Sequence, residues 1–446
     1  MTHENRVGKY YAEHHGQLKR LTDTLIESSP YDGLVIYAGA PRVAFQDDNT
    51  YPFRPNPAYL QWVPETDHAH SLLLLRPGRT PLLICHQPRD YWHVVPSEPS
   101  GFWIEHFEII AAGSPDDVLD ALPGDVTGYA VIGELTDAVG ALGFASINPD
   151  ELVLPLHFSR LRKTAYEIEC MRCSNLDAVA GHIAAREAFQ EGASEFGIHL
   201  AYLRASGHSE AQLPYANIVA LNEHGATLHY DVFDKAPPSA RRSFLIDAGA
   251  SCNGYAADIT RTWAANDGPF SDLIGMLDDA QQALLGSIHA GCSYVGLHHA
   301  MHESIARILA DTKLVAMDPP EMVETGVTFA FFPHGLGHHL GLQVHDVGGK
   351  QESATGGLLE QPDGHPFLRN LRTVEEGNVL TIEPGIYFID QLLEDLRDRP
   401  EGDNVNWAAV ESLKPFGGIR IEDDIAVTAD GIDNLTRVAF SSLDAT

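Results

Sequence analysis

Four carboxylates lie in stretches of the sequence where burial is expected. Asp247 ends the apolar run SFLID, and Asp258 follows it in YAADITRTW. An Asn-Gly pair at residues 253–254 predicts a tight hairpin between them, which would bring the two carboxylates onto adjacent antiparallel strands. Glu383 in VLTIEPGIYF and Glu422 in GIRIEDDIAV stand among β-branched residues, where an unpaired charge is costly. A capped loop or a basic partner would explain any one of them alone, but not all four.

The segment HGLGHHLGLQVHD contains four histidines, His334, His338, His339 and His345, interleaved with glycines. This glycine density disfavours a helix, and no Glu follows His334, so a helical HExxH zinc motif is excluded. Four imidazoles so close together favour ligands and proton shuttles over ordinary packing. We expect His339 to be the one without a functional role.

Four carboxylates within a few ångströms would repel one another by about 4 kcal/mol per close pair at an effective dielectric near 20. Two divalent cations would balance their four negative charges and leave a bridging water free to ionise. One neutral imidazole would complete a coordination shell. The sequence therefore predicts a two-metal hydrolase, and its oxygen-rich ligand set favours Mn²⁺ or a similar hard ion over structural zinc.

The elements that position these residues fall into two predicted parts. Residues 1–157 combine a helix near residues 8–28 with apolar runs such as GLVIYAGA and SLLLLRP, which predicts an α/β domain. It contains no nucleotide-binding fingerprint and no GxSxG motif, so we expect an architectural role. The basic segment FSRLRK, residues 158–163, is the predicted linker to a second domain over residues 164–446.

The second domain should open with a helix capped by Thr164 and Glu167, on which Cys170 and Cys173 share a face and pack into the core. Further helices are expected in SEFGIHLAYLRASG and near residues 271–290 and 297–311. The predicted strands are NIVALN, TLHY, RSFLIDAG, GYAADITRTW, VLTIEPGIYF and GIRIEDDIAVT. This order predicts an α+β fold with helices packed on one face of a mostly antiparallel sheet.

Composition narrows the possible partners and location. The 446 residues include 29 Lys and Arg against 62 Asp and Glu, a net charge of −33, which disfavours nucleic acid and anionic membranes as partners. No signal peptide and no apolar run near the roughly 18 residues needed to span a bilayer is found, so a cytoplasmic location is predicted. Five scattered cysteines indicate free thiols rather than a disulfide framework.

Several segments also resemble a known family. LIDAGASCNGYAADITRTW, FFPHGLGHHLGLQVHDVGG, VLTIEPGIYFID and KPFGGIRIEDD are similar to the pita-bread metallopeptidases and, within them, to bacterial Xaa-Pro dipeptidases, or prolidases. The resemblance extends over nearly the whole chain. It implies a pita-bread catalytic domain after a smaller creatinase-like domain, a homodimer, and hydrolysis of Xaa-Pro dipeptides with release of the C-terminal proline.

The resemblance also implies a role for each candidate metal ligand. Asp247 would bind one ion, Asp258 and Glu422 would bridge both, and His338 and Glu383 would complete the other. Attack by a metal-bridging hydroxide is implied, with Glu383 as general base and as the shuttle that carries a proton to the departing proline nitrogen.

Further site residues are predicted around this centre. The resemblance implies that His345 stabilises the tetrahedral intermediate and that His334 lines the same pocket. Period-two alternation puts Arg420 on the same face of the sheet as Glu422. Its guanidinium would then either point toward the substrate or form an ion pair with a ligand carboxylate. His229 and Arg369 are the predicted partners of the substrate carboxylate. Tyr215 and Tyr294 either line the pocket or pack in the core. Asp48 either reaches the partner subunit's site or is a solvated loop residue.

Alternative functions differ in their substrates. Aminopeptidase P would use the same chemistry on longer Xaa-Pro peptides, and similar enzymes cleave organophosphate esters as a side activity. Methionine aminopeptidases usually lack so large a first domain. Non-enzymatic peptide binding is disfavoured because all five candidate ligand positions carry chelating side chains.

Overall fold

The computed structural model describes residues 2–96, 98–122 and 124–443. Three residues of the predicted first domain (Met1, Ser97 and Pro123) and the last three of the predicted second domain (444–446) lie outside the described residues.

The amino-terminal region is a mixed sheet flanked by helices. Its inner strands are the predicted apolar runs, which are buried on both faces. The elements are α1 (His3–Glu27), β1 (Gly33–Tyr37), α2 (Pro57–Leu60), β2 (Leu72–Leu75), β3 (Leu82–His86), β4 (Glu108–Ala112), α3 (Pro115–Asp120), β5 (Tyr129–Ile132), α4 (Asp137–Gly140), β6 (Ser146–Ile147) and α5 (Asp150–Ser159). The strand order is β4-β3-β2-β1-β5-β6, antiparallel at β3-β2-β1 and parallel elsewhere.

The segment predicted as a linker is packed into the structure. Helix α5 continues into it as far as Ser159, and Arg160 and Lys163 both form ion pairs with Asp346, whose side chain is 1% exposed. One apolar core also crosses this junction, because Trp62 of the first region and Val379 of the second belong to the same buried cluster. The two regions are therefore joined by buried charge and by apolar packing, and the predicted domain limits stay a prediction.

The carboxy-terminal region alternates helices with short antiparallel strands. Its elements are α6 (Ala165–Glu191), α7 (Glu195–Ser206), β7 (Ile218–Leu221), β8 (Ser243–Asp247), β9 (Ser251–Cys252), β10 (Tyr255–Ala256), β11 (Thr260–Ala264), α8 (Pro269–Leu285), α9 (Tyr294–Asp311), α10 (Pro319–Glu324), α11 (Val327–Phe331), β12 (Gln351–Ser353), β13 (Gly356–Leu358), β14 (Val379–Ile382), β15 (Gly385–Tyr387), α12 (Asp390–Arg397), α13 (Trp407–Leu413), β16 (Gly418–Arg420), β17 (Asp423–Thr428), β18 (Gly431–Asn434) and α14 (Leu435–Leu443).

Local sequence signals account for the ends of these elements. Thr164 and Glu167 form the predicted capping box at the start of α6, and Cys170 and Cys173 are buried free thiols on that helix. The predicted hairpin is present between β9 and β10, where Asn253 and Gly254 both have positive φ, as a two-residue turn requires. The prediction of a strand over TLHY is wrong. Residues 227–230 instead form a turn that follows the 3₁₀ helix Asn222–Ala226.

Two antiparallel sheets meet at the site. Strands β11-β8-β7 form one and β14-β17-β18 the other, and a single bridge between Thr260 and Glu422 joins them. Helices α6 and α7 pack against the first sheet, whereas α8 and α9 pack against the second. Among the described residues, none of the helices is both long and apolar enough to cross a bilayer.

Candidate active site

Asp247 is held at the end of β8 by two side chains. Arg420, on β16, places Nη2 2.7 Å from its Oδ2, and the Tyr215 hydroxyl donates to its Oδ1 at 2.8 Å. Asp258 does not lie on a strand as predicted but between β10 and β11, and it is Thr260 that pairs with Asp247 in the sheet. The two carboxylates reach the same site from positions offset by two residues, which is one period of a strand.

Asp258, His338 and Glu422 form a compact, buried ligand set. One donor atom from each lies within 4.8 Å of the donor atoms of the other two. His338 Nε2 lies 3.4 Å from Asp258 Oδ2 and 3.7 Å from Glu383 Oε1. Its Nδ1 lies 3.0 Å from the His339 carbonyl oxygen, to which it can donate, and this contact turns Nε2 toward the carboxylates.

The backbone explains why these side chains converge. The Glu422 N–H donates to the Thr260 carbonyl, and the Thr260 hydroxyl donates to Glu422 Oε2 at 2.7 Å. His338 pairs through its backbone with Thr381 on β14, immediately before the turn that carries Glu383. Gly337 permits this approach, because its φ is 152° and a Cβ there would lie 2.2 Å from the Thr381 carbonyl oxygen.

The centre holds more negative than positive charge. Burial raises the pKa of Glu422 well above its usual value, and the nearby carboxylates of Asp258 and Glu383 raise it further. Burial likewise raises the pKa of Glu383 to about 7 and raises that of Asp247 despite the Arg420 charge. Burial and mutual repulsion both disfavour the charged form of these carboxylates, and divalent ions would stabilise it, which is the environment expected of a site that binds divalent metal.

His338 and Asp258 show the opposite effect. Burial is the largest effect and works against both charges, but the hydrogen bond and the charge attraction between the two side chains, together with neighbours such as Glu383, outweigh it. The pKa of His338 is raised to about 9 and that of Asp258 is lowered. The four carboxylates and His338 therefore fit a pair of divalent ions, whose positive charge would stabilise the ionised carboxylates.

The other predicted histidines lie beside this centre. His334 Nε2 lies 2.8 Å from the Tyr387 hydroxyl, and its Nδ1 lies 3.7 Å from Glu383 Oε2. The His345 ring stands perpendicular to the His338 ring with centroids 4.5 Å apart. Burial lowers the pKa of His334 to about 3 and that of His345 to about 4, so both are neutral near pH 7. His339 is buried and is not part of the group formed by Asp258, His338 and Glu422.

A cavity of about 1400 Å³ opens beside the carboxylates. Its walls come from both regions, and Arg54 of the first region joins them by donating to the Leu213 and Pro214 carbonyls of the second. His229 and His345 line it together with Tyr215, Asp247 and Asp258. The first region thus covers one side of the site and restricts the space for a substrate.

The remaining predicted residues differ in their positions. Tyr294 is fully buried and donates to the Thr381 carbonyl, whereas Arg420 is buried in its ion pair with Asp247. Arg369 is exposed, but its charge contributes to the low pKa of His345. Asp48 is exposed in a turn closed by the bridge between Val43 and Thr50 and does not line the cavity of its own chain.

Sequence reasoning missed three supporting residues. Tyr387 contacts both His334 and Arg420, Thr260 contacts both Glu422 and Arg420, and Asp424 accepts the Asp258 N–H. A signal was available for two of them, because Thr260 and Asp424 each follow a predicted ligand by two residues, the period of one strand face. Nothing comparable singles out the tyrosine.

Comparison with known proteins places the chain in a class. Residues 169–429 match the family model described as Metallopeptidase family M24, and the chain belongs to that family of hydrolases. Residues 9–158 match the model described as Xaa-Pro dipeptidase, N-terminal domain. The predicted resemblance to bacterial Xaa-Pro dipeptidases is confirmed.

Named relatives and solved structures agree with this assignment. The chain is 48% identical to Xaa-Pro dipeptidase from Pseudoalteromonas haloplanktis over 97% of this chain and 98% of that protein. It is 46% identical to Xaa-Pro dipeptidase from Aeromonas hydrophila over 96% and 98%. Aminopeptidase PepP from Pseudomonas aeruginosa has the same fold, with a TM-score of 0.72 at 23% identity over 97% of this chain and 99% of that one. The zinc-substituted aminopeptidase P from E. coli has a TM-score of 0.71 at 24% identity, with 97% of each chain covered. These matches confirm the predicted pita-bread domain preceded by a smaller α/β domain.

Proposed function

We propose that the protein is a dinuclear metallopeptidase that hydrolyses Xaa-Pro dipeptides and releases the C-terminal proline. The observation that carries the proposal is the convergence of four carboxylates, two buried and two partly buried, and one buried imidazole beside a cavity that the first region partly covers. The names of the relatives support the dipeptide as substrate.

Two divalent ions would be held by Asp247, Asp258, His338, Glu383 and Glu422. When bound, they would supply Lewis acidity and a water activated for attack on the scissile carbonyl. We propose Mn²⁺ because carboxylate oxygens dominate the donor set.

Glu383 is the proposed general base and proton shuttle. Its Oε1 lies 3.7 Å from His338 Nε2, and burial raises its pKa to about 7. His334 Nδ1 lies 3.7 Å from the other oxygen but 2.9 Å from the Gly335 carbonyl, and its Nε2 contacts Tyr387, so His334 lines the pocket beside Glu383 without a hydrogen bond to it.

The remaining site residues are proposed to bind the tetrahedral intermediate and the substrate carboxylate. His345, beside His338 on the cavity wall, is the proposed donor of a hydrogen bond to the tetrahedral intermediate. His229 and Arg369 are the proposed partners of the substrate carboxylate, with Tyr215 beside Asp247 forming part of the pocket wall. Arg420 is proposed to act on substrate indirectly, through the carboxylate that it orients.

A homodimer in the cytoplasm completes the proposal. Asp48 projects from an exposed turn in which Phe45 is 88% exposed, so it is available to a second subunit. Asp48→Ala should raise the KM for a dipeptide at unchanged metal content if it reaches the partner's site. Mixed dimers of Asp48→Ala and Glu383→Gln subunits should then contain one intact site per pair, whereas two impaired sites would place Asp48 in its own subunit's site.

The substrate is tested by comparing Ala-Pro, Ala-Pro-Gly and Pro-Ala with Mn²⁺-loaded protein. We expect cleavage of Ala-Pro, at least tenfold slower cleavage of Ala-Pro-Gly and none of Pro-Ala. Glu422→Gln protein is the control for contaminating peptidases. Preferred cleavage of the tripeptide would instead identify an aminopeptidase P activity, and no cleavage of either Xaa-Pro substrate would refute the proposal.

A further inference from the structure

A second group of histidines lies outside the proposed active site. His298 and His302 are four residues apart on α9 and so project from the same face of that helix. His365 approaches them from the segment 359–373. His298 Nε2 lies 2.9 Å from His365 Nδ1, and one ring nitrogen from each of the three histidines lies within 4.8 Å of the others.

These imidazoles are neutral, as metal-binding histidines are. His302 places Nδ1 2.9 Å from the Thr328 hydroxyl oxygen, whereas its buried Nε2 has no hydrogen-bond partner among the described residues. His298 and His302 are each 1% exposed, and burial lowers their pKa values to about 2 and about 3. They are therefore neutral at physiological pH, with a lone pair available on each ring.

We propose that His298, His302 and His365 form a mononuclear site for a Zn²⁺-class cation. Three imidazoles and one water form a tetrahedral shell with Zn–N distances of about 2.0–2.1 Å, which places ligand nitrogens about 3.3 Å apart. The present 2.9 Å separation between His298 and His365 needs to widen by only a few tenths of an ångström. His365 is half-buried, so this ligand lies at the solvent-facing edge of the proposed site.

This site is distinct from the carboxylate centre in both position and chemistry. The Phe332 ring separates them, with its centroid 4.9 Å from that of His302 and 4.8 Å from that of His334. The three ligands are neutral nitrogens, which select Zn²⁺, Co²⁺ or Ni²⁺, whereas the carboxylate centre selects harder ions.

A cation bound by the three histidines would link α9 to the segment 359–373. This segment packs against the loop that carries His334 and His338, because a Cβ added at Gly335 would lie 3.0 Å from the Leu368 Cα, and it carries Arg369 toward His345. A cation held by His298, His302 and His365 would fix that segment without touching substrate.

The proposal is tested by counting metal in the full chain. Protein stripped by a chelator and loaded with Co²⁺ is desalted, and its metal content and visible absorption are measured. Wild-type protein should retain one more equivalent of Co²⁺ than either His365→Asn or His302→Phe. The two variants should also lose the visible absorption of tetrahedral Co²⁺. His299→Asn is the matched control, because its ring lies 5.0 Å from that of His365 but outside the triad, and it should retain the full number.

The readout is a difference of one equivalent, so it does not depend on how many ions the carboxylate centre holds. His365 is half-buried in a loop, so its variant tests the proposal even if His302→Phe fails to fold. A zinc-soaked crystal should also show an anomalous peak among the three imidazoles. Equal metal content in wild type and His365→Asn, or the absence of a peak among the three imidazoles, would overturn the proposal.

Discussion

Arg420→Met should destabilise the protein chiefly when no metal is bound. Arg420 is 5% exposed, and its guanidinium contacts Asp247, Tyr387 and Thr260. Methionine retains an apolar stem but removes the charge and leaves Asp247 buried without a cationic partner. Breaking a buried ion pair by removing one partner costs about 3–5 kcal/mol in the free energy of unfolding.

Metal ions should reduce this cost because they supply positive charge to the same carboxylates. The metal-loaded variant should lose only the hydrogen bonds to Tyr387 and Thr260, about 1–2 kcal/mol. The difference of about 2–3 kcal/mol must then appear as tighter metal binding by the variant. Since 1.4 kcal/mol is a factor of ten, affinity should rise by roughly 30- to 150-fold.

The assay is urea unfolding of wild type and variant with EDTA and with saturating Mn²⁺, together with metal affinity from competition with a chelating dye. Arg261→Met is the matched control, because Arg261 pairs with buried Asp423 at 2.6 Å and contacts the candidate ligand Glu422 at its backbone carbonyl rather than at its carboxylate. The loss in free energy of unfolding caused by Arg261→Met should be the same with and without metal. An Arg420→Met cost that does not depend on metal, or weaker metal binding, would refute the reasoning.

Three further outcomes are expected. Asp258→Asn should lower metal content and abolish activity while the far-UV circular dichroism is retained, and full metal with near-normal turnover would contradict the two-metal assignment. Glu383→Gln should lower kcat by about 10²- to 10⁴-fold and change KM little, because an amide cannot carry protons to the leaving nitrogen; a loss below tenfold would place the general base elsewhere. Asp346→Asn should cost about 3–5 kcal/mol by leaving Arg160 and Lys163 unpaired. Arg160 and Lys163 hold the pKa of Asp346 below its usual value of about 3.9, so this cost should be constant above about pH 5. It should fall as pH drops through about 3.9, where the unfolded chain takes up a proton, and disappear only below the lowered pKa of the folded protein. A cost that does not change with pH would contradict the ion-pair explanation.

The elements could be predicted well where the signal is local. The capping box at Thr164 and the hairpin at Asn253 depend only on neighbouring residues, and both were predicted correctly. Residues 227–230 were predicted wrongly because their alternation resembles a strand, whereas the preceding 3₁₀ helix and turn leave them no strand to pair with. The segment 158–163 was interpreted as a polar linker, since no local pattern reveals that Asp346, almost two hundred residues later, buries its basic side chains.

The convergence of the ligand set was predictable for a different reason. Carboxylates in apolar strands must find positive charge, so their number and spacing predicted a centre before any contact was known. The supporting contacts were not predictable, because they depend on how two sheets meet. The bridge between Thr260 and Glu422 aligns Arg420 with Asp247, and no sequence period relates strands that are over 150 residues apart.

The run Glu422-Asp423-Asp424 shows how the fold separates adjacent charges. Glu422 faces the proposed metal centre, whereas Asp423 forms ion pairs with Arg261 and Arg437, so burial of its charge is compensated and its pKa is lowered. Asp424 lies one strand period beyond Glu422, and burial raises its pKa well above the usual value, followed by the effect of Asp258. Its Oδ2 accepts hydrogen bonds from the Asp258 N–H and from the Asn175 amide, so it holds the backbone of a candidate ligand. One short run of three residues thus supplies a candidate ligand, an ion-paired anchor and a hydrogen-bond acceptor, because alternation assigns each carboxylate a different set of neighbours.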